Sequence, residues 1–286
     1  MEALPHKFMS KEIALLMDID GTLTPPRQPL LVEMADALKR LNIPFNVAAG
    51  SDRPLVEPQF LQPLWDFGYR RKFEAFVDNG ATQLSCDFTE EYKVEEVFKF
   101  SFADHLGAED NNLLLDSLEE LDGIEEFKLA DNLKVIGNRL TDRGSMINYA
   151  PIGRTKVITD EALQNRNDFV SFDKSTGYRK KIMEFLVGKL ARVMEEKGLN
   201  ILYGGETSFD INIRGKDKTL PVMKFLEGDY KKVAFMGDAL FDGGNDSVVQ
   251  DLVDNWDPNE TCPVEAIPVK SWEHSIEVFG ERGWLG

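Results

Sequence analysis

Four short apolar runs, each closing on glycine, aspartate or asparagine, constrain this chain more than any other feature. They are Ile13–Met17 before Asp18-Ile19-Asp20-Gly21-Thr22, Ile43–Ala49 before Gly50-Ser51-Asp52, Phe73–Val77 before Asp78-Asn79-Gly80, and Lys232–Met236 before Gly237-Asp238. Such runs suit strands buried on both faces of a sheet. Between the first two, Leu31, Met34, Leu38 and Leu41 recur at helical spacing, and a second helical segment runs to about Trp65. Strand alternating with helix predicts a parallel α/β sheet.

That rhythm breaks near residue 85 and returns near 217. The intervening stretch is acidic over 89–125, carries helical leucines (Leu113, Leu114, Leu118, Leu121), and reads as extended over 133–150. The segment 181–197 predicts an amphipathic helix with Ile182, Phe185, Leu186, Leu190, Val193 and Met194 on one stripe, followed by strands at 199–203 and 208–213. A helix from about Lys218, another near 245–254, a strand at 265–269 and a helix at 272–280 complete the chain. The expected organisation is a discontinuous core of 1–85 and 215–286, with 86–214 as an inserted α/β domain.

Composition excludes several classes. The net charge of −17 argues against nucleic acid, whose phosphates need a basic face. A site for an anionic substrate must then be a local cluster of Arg, Lys and metal on a repulsive background. No apolar run spans a bilayer, and residues 1–10 lack the basic head and apolar stretch of a leader, so a cytoplasmic location is expected. Two isolated cysteines, Cys86 and Cys262, suit neither a disulfide framework nor a zinc site. His6, His105 and His274 are scattered, and the Asn259-Glu260-Thr261 sequon has no secretory context.

The chemistry concentrates where the strands end. Open α/β sheets bind ligands at the carboxyl ends of their strands. In extended chain, residues i and i+2 point the same way, so Asp18 and Asp20 can face one ligand. One carboxylate can attack phosphorus and hold a cation while the other moves the proton. A calcium loop fails on position: glycine is fourth rather than sixth, and the twelfth residue is Pro29. There is no Gly-Lys-Ser/Thr phosphate loop. Ser51 can donate to a phosphoryl oxygen, Lys218 can neutralise charge on it and on Asp18, and Asp238 is a hard oxygen donor suited to Mg²⁺. Gly243-Gly244-Asn245-Asp246 adds a tight backbone and a further carboxylate.

On these residues the chain resembles the haloacid-dehalogenase-like phosphotransferases. More narrowly it is similar to the eukaryotic-type α-phosphomannomutases, through Asp-Gly-Thr-Leu-Thr-Pro-Pro-Arg (20–27), Asn-Tyr-Ala-Pro-Ile-Gly-Arg (148–154), Gly-Gly-Glu-Thr-Ser-Phe-Asp (204–210) and Gly-Gly-Asn-Asp (243–246). The resemblance implies a Rossmann-like parallel-sheet core with an inserted α/β cap that closes over the sugar and forms a homodimer. It implies Asp18 as nucleophile, Asp20 as acid and base, and Ser51 and Lys218 as phosphoryl ligands. Mg²⁺ would be held by Asp18, the Asp20 carbonyl, Asp238 and Asp246, with a hexose 1,6-bisphosphate as activator. Arg27, Arg143, Arg154 and Arg166 would hold the distal phosphate and the sugar, with Ser208 and Asp210 on its hydroxyls. Arginine's planar fork suits that grip.

The sequence departs from the family at Ala239-Leu240-Phe241-Asp242, after Asp246, in the acidic stretch, and in an insertion between Arg154 and Arg166. A hexose phosphate is the expected substrate, interconverted between mannose 1-phosphate and mannose 6-phosphate. The alternatives are a sugar-phosphate phosphatase on the same scaffold and a non-catalytic sugar-phosphate sensor.

Overall fold

A computed structural model describes residues 12–155, 159–228, 230–241 and 244–286. Residues 1–10, on which the expectation of no leader rests, and Asp242 and Gly243 of the glycine loop lie outside the described residues. The chain opens with β1 (Ile13–Met17), α1 (Val32–Arg40), β2 (Phe45–Ala48) and α2 (Arg53–Val56). A π-helical turn at Glu57–Leu61 leads to α3 (Gln62–Asp66), β3 (Lys72–Val77), β4 (Thr82–Asp87) and β5 (Lys93–Lys99). Next come α4 (Phe102–Leu106), α5 (Ala108–Glu120), β6 (Asn138–Asp142), β7 (Ile147–Arg154), α6 (Asp160–Thr176), α7 (Tyr178–Glu196), β8 (Leu199–Gly204) and β9 (Ser208–Ile213). The chain then returns through α8 (Thr219–Glu227), β10 (Lys232–Gly237), α9 (Ser247–Asp254), β11 (Val264–Pro268) and α10 (Trp272–Glu281).

Two compact units result: Met1–Lys99 with Gly215–Gly286, and Phe100–Arg214. The first is built on a seven-stranded sheet in the order β11-β10-β1-β2-β3-β4-β5. β11 to β3 are parallel, while β4 and β5 add antiparallel to β3. The sheet therefore carries on past residue 85, where the sequence reading divides the chain, and the unit runs to Lys99. β5 escapes a hydropathy reading because it is an edge strand, Lys-Val-Glu-Glu-Val-Phe-Lys, exposed along most of its length.

Burial on both faces explains the apolar runs. Leu15 and Met17 of β1 join a cluster with Met34 and Leu38 of α1 and Phe279 of α10. Ala14 and Leu16 point the other way, onto Val222 of α8, Phe235 of β10 and Val249 of α9. Strand order reverses between β1 and β10, the place where open α/β sheets leave a crevice at their carboxyl ends.

The second unit is an antiparallel sheet in the order β6-β7-β9-β8. The stretch read as extended over 133–150 separates into β6 and the start of β7, joined by a turn in which Arg143 N–H donates to the Met146 carbonyl (3.0 Å). Phe209, Ile211 and Ile213 of β9 pack with Leu114 and Leu118 of α5 and with Ile182, Leu186, Leu190 and Val193 of α7. The alternate residues Ser208, Asp210 and Asn212 therefore face away from that core. Among the described residues no helix is long and apolar enough to cross a membrane.

Candidate active site

Asp18 is the first residue past β1, and Asp238 the first past β10. Parallel pairing sets Met17 beside Met236, and Asp18 N–H donates to the Met236 carbonyl (2.9 Å), so the two carboxylates leave neighbouring strand ends. Lys218 caps the start of α8 with its side chain wholly buried. Its Nζ donates to Asp18 Oδ1 at 2.6 Å and also to Asp246 Oδ1. Asp246, at the start of α9, is buried too, and its Oδ2 accepts from Ala239 N–H (3.3 Å). Carboxylate oxygens of Asp18, Asp238 and Asp246 lie within 4.8 Å of one another.

Three carboxylates and one ammonium leave this cluster negative. Burial pushes the Asp18 carboxyl up to about 7, with Asp246 adding repulsion, although Lys218 pulls it back. Burial and then Asp246 also raise Asp238. Burial opposes the charge on Lys218, yet Asp18 and Asp246 outweigh it and hold the ammonium above its ordinary range. The donor set is all hard oxygen and has charge to spare, so it fits a hard divalent cation.

Glycines make the crowding possible. A Cβ on Gly21 would stand 2.5 Å from Asp238 Oδ2, at a φ of +86° that L side chains rarely adopt. A Cβ on Gly237 would run into Asp246 Oδ2.

Asp20 is half-buried on the loop beyond β1. Its Oδ1 accepts from the backbone N–H of Arg27 and from Gln59 Nε2 (3.1 Å). Arg27 has φ +58°, a left-handed turn that presents this N–H, and its side chain is exposed. Ser51 follows β2 at the same edge of the sheet, and its carbonyl accepts from Asp78 N–H (2.9 Å). Asp78 and Asn79 both take left-handed φ values of 55°, so the β3–β4 turn is folded tightly beneath the Ser51 loop.

In the second unit the organiser is Asn148, opposite Asp210 in the β7–β9 register. Its Nδ2 donates to Asp210 Oδ1 (2.6 Å), Ser208 Oγ (3.2 Å) and the Phe209 carbonyl (3.1 Å), while its Oδ1 accepts from Arg154 Nη1 (3.1 Å). Thus Arg154, Ser208 and Asp210 are brought together. Arg143 stands in the β6–β7 turn, with Nη1 3.9 Å from Met146 Sδ. Arg166, on α6, pairs with Glu206 in the β8–β9 turn (2.8 Å). Arg179 fixes that turn, donating to the carbonyls of Gly205 (2.8 Å) and Ser208 (3.3 Å) while paired to Asp173 (2.7 Å).

A profile of the eukaryotic phosphomannomutases matches residues 37–254. The chain belongs to the eukaryotic phosphomannomutase family. It is 31% identical to a phosphomannomutase of Triticum aestivum over 239 residues, covering 82% of this chain and 84% of that one. It is 32% identical to the phosphomannomutase of Saccharomyces cerevisiae over 238 residues, with 82% and 84% covered. Among solved structures, the IMP-nucleotidase of Plasmodium falciparum superposes with a TM-score of 0.56 at 12% identity, over 96% of this chain and 68% of the other. Such a likeness shows a shared fold and nothing more.

The profile match to the phosphomannomutase family runs through Ser51, Arg143, Arg154, Arg166, Lys218, Asp238 and Asp246 but leaves out Asp18, Asp20 and Arg27; parallel pairing of β1 and β10 sets Asp18 at a strand end beside Asp238. Sequence reasoning did not single out Gln59, Asn148, Glu206 or Arg179. Asn148 stands in one of the family strings, but its link to Asp210 depends on the β7–β9 register; a lone glutamine in a helical run, such as Gln59, carries no signal.

Proposed function

We propose that the chain is a phosphomannomutase, interconverting mannose 1-phosphate and mannose 6-phosphate through a phosphoryl group carried on Asp18. The observation that carries this is the wholly buried Lys218 ammonium bridging Asp18 and Asp246, with Asp238 alongside. A buried lysine fixed on a carboxylate at a strand end holds that carboxylate in place and neutralises charge as it accumulates.

With Oδ1 engaged by Lys218, Asp18 has Oδ2 to attack phosphorus in line. The phosphorus–oxygen bond to the sugar breaks, and Asp20 gives its proton to the departing oxygen. In the second half-reaction Asp20 takes the proton from the incoming hydroxyl and the phosphoryl group leaves Asp18. Ser51 donates to a phosphoryl oxygen throughout. Asp18, the Asp20 carbonyl, Asp238 and Asp246 would hold Mg²⁺, which when bound draws charge from the phosphoryl oxygens.

Arg27, Arg143, Arg154 and Arg166 hold the distal phosphate and the sugar, while Ser208 and Asp210 meet sugar hydroxyls. Family likeness also supports a hexose 1,6-bisphosphate as activator, a cytoplasmic location and a homodimer formed through the second unit. Sedimentation would check the last.

A coupled assay for mannose 6-phosphate from mannose 1-phosphate, with and without glucose 1,6-bisphosphate, tests the proposal beside a phosphate-release assay. The expected result is isomer formation that depends on the bisphosphate. Inorganic phosphate without isomer would make the chain a phosphatase, and binding with neither product would make it a sensor.

A further inference from the structure

We propose that Gln59 is the positioning residue of Asp20, and that it dictates which carboxylate oxygen moves the proton; this rests on Asp20 being the acid and base. Gln59 Nε2 donates one hydrogen to Asp20 Oδ1 (3.1 Å) and the other to Thr24 Oγ1 (3.0 Å). Thr24 Oγ1 can accept because its own hydrogen goes to the Ile19 carbonyl (3.2 Å). The backbone carbonyl of Gln59 accepts from Leu30 N–H (2.8 Å), so one residue ties both ends of the loop that carries Asp20.

The backbone N–H of Arg27 bonds to the same Oδ1. An oxygen that accepts from two N–H groups has its lone pairs engaged and cannot also carry a proton facing those donors. The mobile proton therefore sits on Oδ2. Fixing Oδ1 also fixes the direction in which Oδ2 points, as general acid catalysis requires.

The local sequence explains how Gln59 comes to face this loop. Pro58 lacks the N–H that an α-helix would use and its ring crowds the preceding turn, and the helical run widens to a π turn at Glu57–Leu61. Such π turns recur at functional sites because they re-aim a side chain. Here the turn sends Gln59 onto a residue 39 positions away in sequence.

The test compares two phosphoryl donors on one protein preparation. Glucose 1,6-bisphosphate expels a sugar alkoxide and needs the proton, whereas acetyl phosphate expels acetate and does not. Single-turnover phosphorylation of Asp18 is measured with each in wild type, Gln59→Met, Gln59→Glu and Asp20→Asn. The ratio of the two rates cancels any difference in folded fraction. Both Gln59 variants are expected to lower the sugar-to-acetyl ratio by about 10–100-fold, part of the 10²–10⁴ that proton transfer supplies. Asp20→Asn is expected to lower it further.

Equal loss with both donors in the Gln59 variants, or no loss with either, overturns the inference while the Asp20 ratio still falls. An unchanged ratio in Asp20→Asn instead overturns the acid–base role itself.

Discussion

Lys218 Nζ lies 2.6 Å from Asp18 Oδ1, with the two side chains 0% and 3% exposed. Two hundred residues of chain separate them, including the whole second unit. A buried ammonium shared by two carboxylates stabilises the fold only while all partners are present. Removing one leaves an uncompensated buried charge, which costs about 3–5 kcal/mol. Lys218→Met is therefore expected to lose about that much stability in urea unfolding, and phosphoryl transfer with it. A variant as stable as wild type would show that Asp18 and Asp246 are not held through this lysine.

Gly21→Ala should damage the site without replacing any ionisable group. The new methyl would stand 2.5 Å from Asp238 Oδ2 on a backbone with φ +86°. Left-handed strain costs about 1–3 kcal/mol. The measurable outcome is a matching drop in stability together with weaker Mg²⁺ binding, read as a higher Mg²⁺ concentration at half-maximal activity.

Glu206, in the turn between β8 and β9, sets a third expectation. Its carboxylate lies 2.8 Å from Arg166, an arginine assigned to the substrate phosphate. Glu206 is 59% exposed, so this pair contributes little to stability, within about 0.5 kcal/mol. Glu206→Gln should lower KM for the sugar phosphate a few-fold and leave kcat in place. A raised KM would mean that Glu206 orients Arg166 rather than competing for it.

The strand ends were legible in sequence because a doubly buried strand must be apolar and its exit must be polar. Ile13–Met17 and Lys232–Gly237 follow that rule, and parallel pairing then places Asp18 beside Asp238. β4 and β5 obey a different rule. Gln83 and Ser85 alternate with apolar neighbours, and Lys93–Lys99 is an edge facing solvent, so neither looks like buried sheet. In the second unit, Phe209 and Ile211 of β9 lie in the core, while Ser208 and Asp210, which alternate with them, bond Asn148. The link through Asn148 depends on register between β7 and β9, which periodicity within one strand does not encode. Gln59 required a π turn and a tertiary contact, and neither leaves a local mark.

Acid sensitivity away from the site should come partly from Glu265. Its hydrogen bond with Arg282 (2.6 Å), followed by that with Lys232 (2.7 Å), holds its carboxyl below the ordinary glutamate value of 4.5. A lowered folded-state value means the stabilisation is present above the unfolded value and is lost as pH falls through the folded one. Both cations are partly solvated, so the contribution is about 0.5 kcal/mol. Urea unfolding should show wild type more stable than Glu265→Gln at pH 7, with the difference closing below about pH 4. A constant difference across that window would remove the charge as its source.

The covalent step can be seen directly. Protein mixed with glucose 1,6-bisphosphate and Mg²⁺, quenched in acid and digested, should yield the peptide containing Asp18 heavier by one phosphoryl group, with none on the same peptide from Asp18→Asn. Turnover of mannose 1-phosphate with that peptide unmodified, or with the phosphoryl group on another residue, would contradict the assignment of Asp18 as nucleophile.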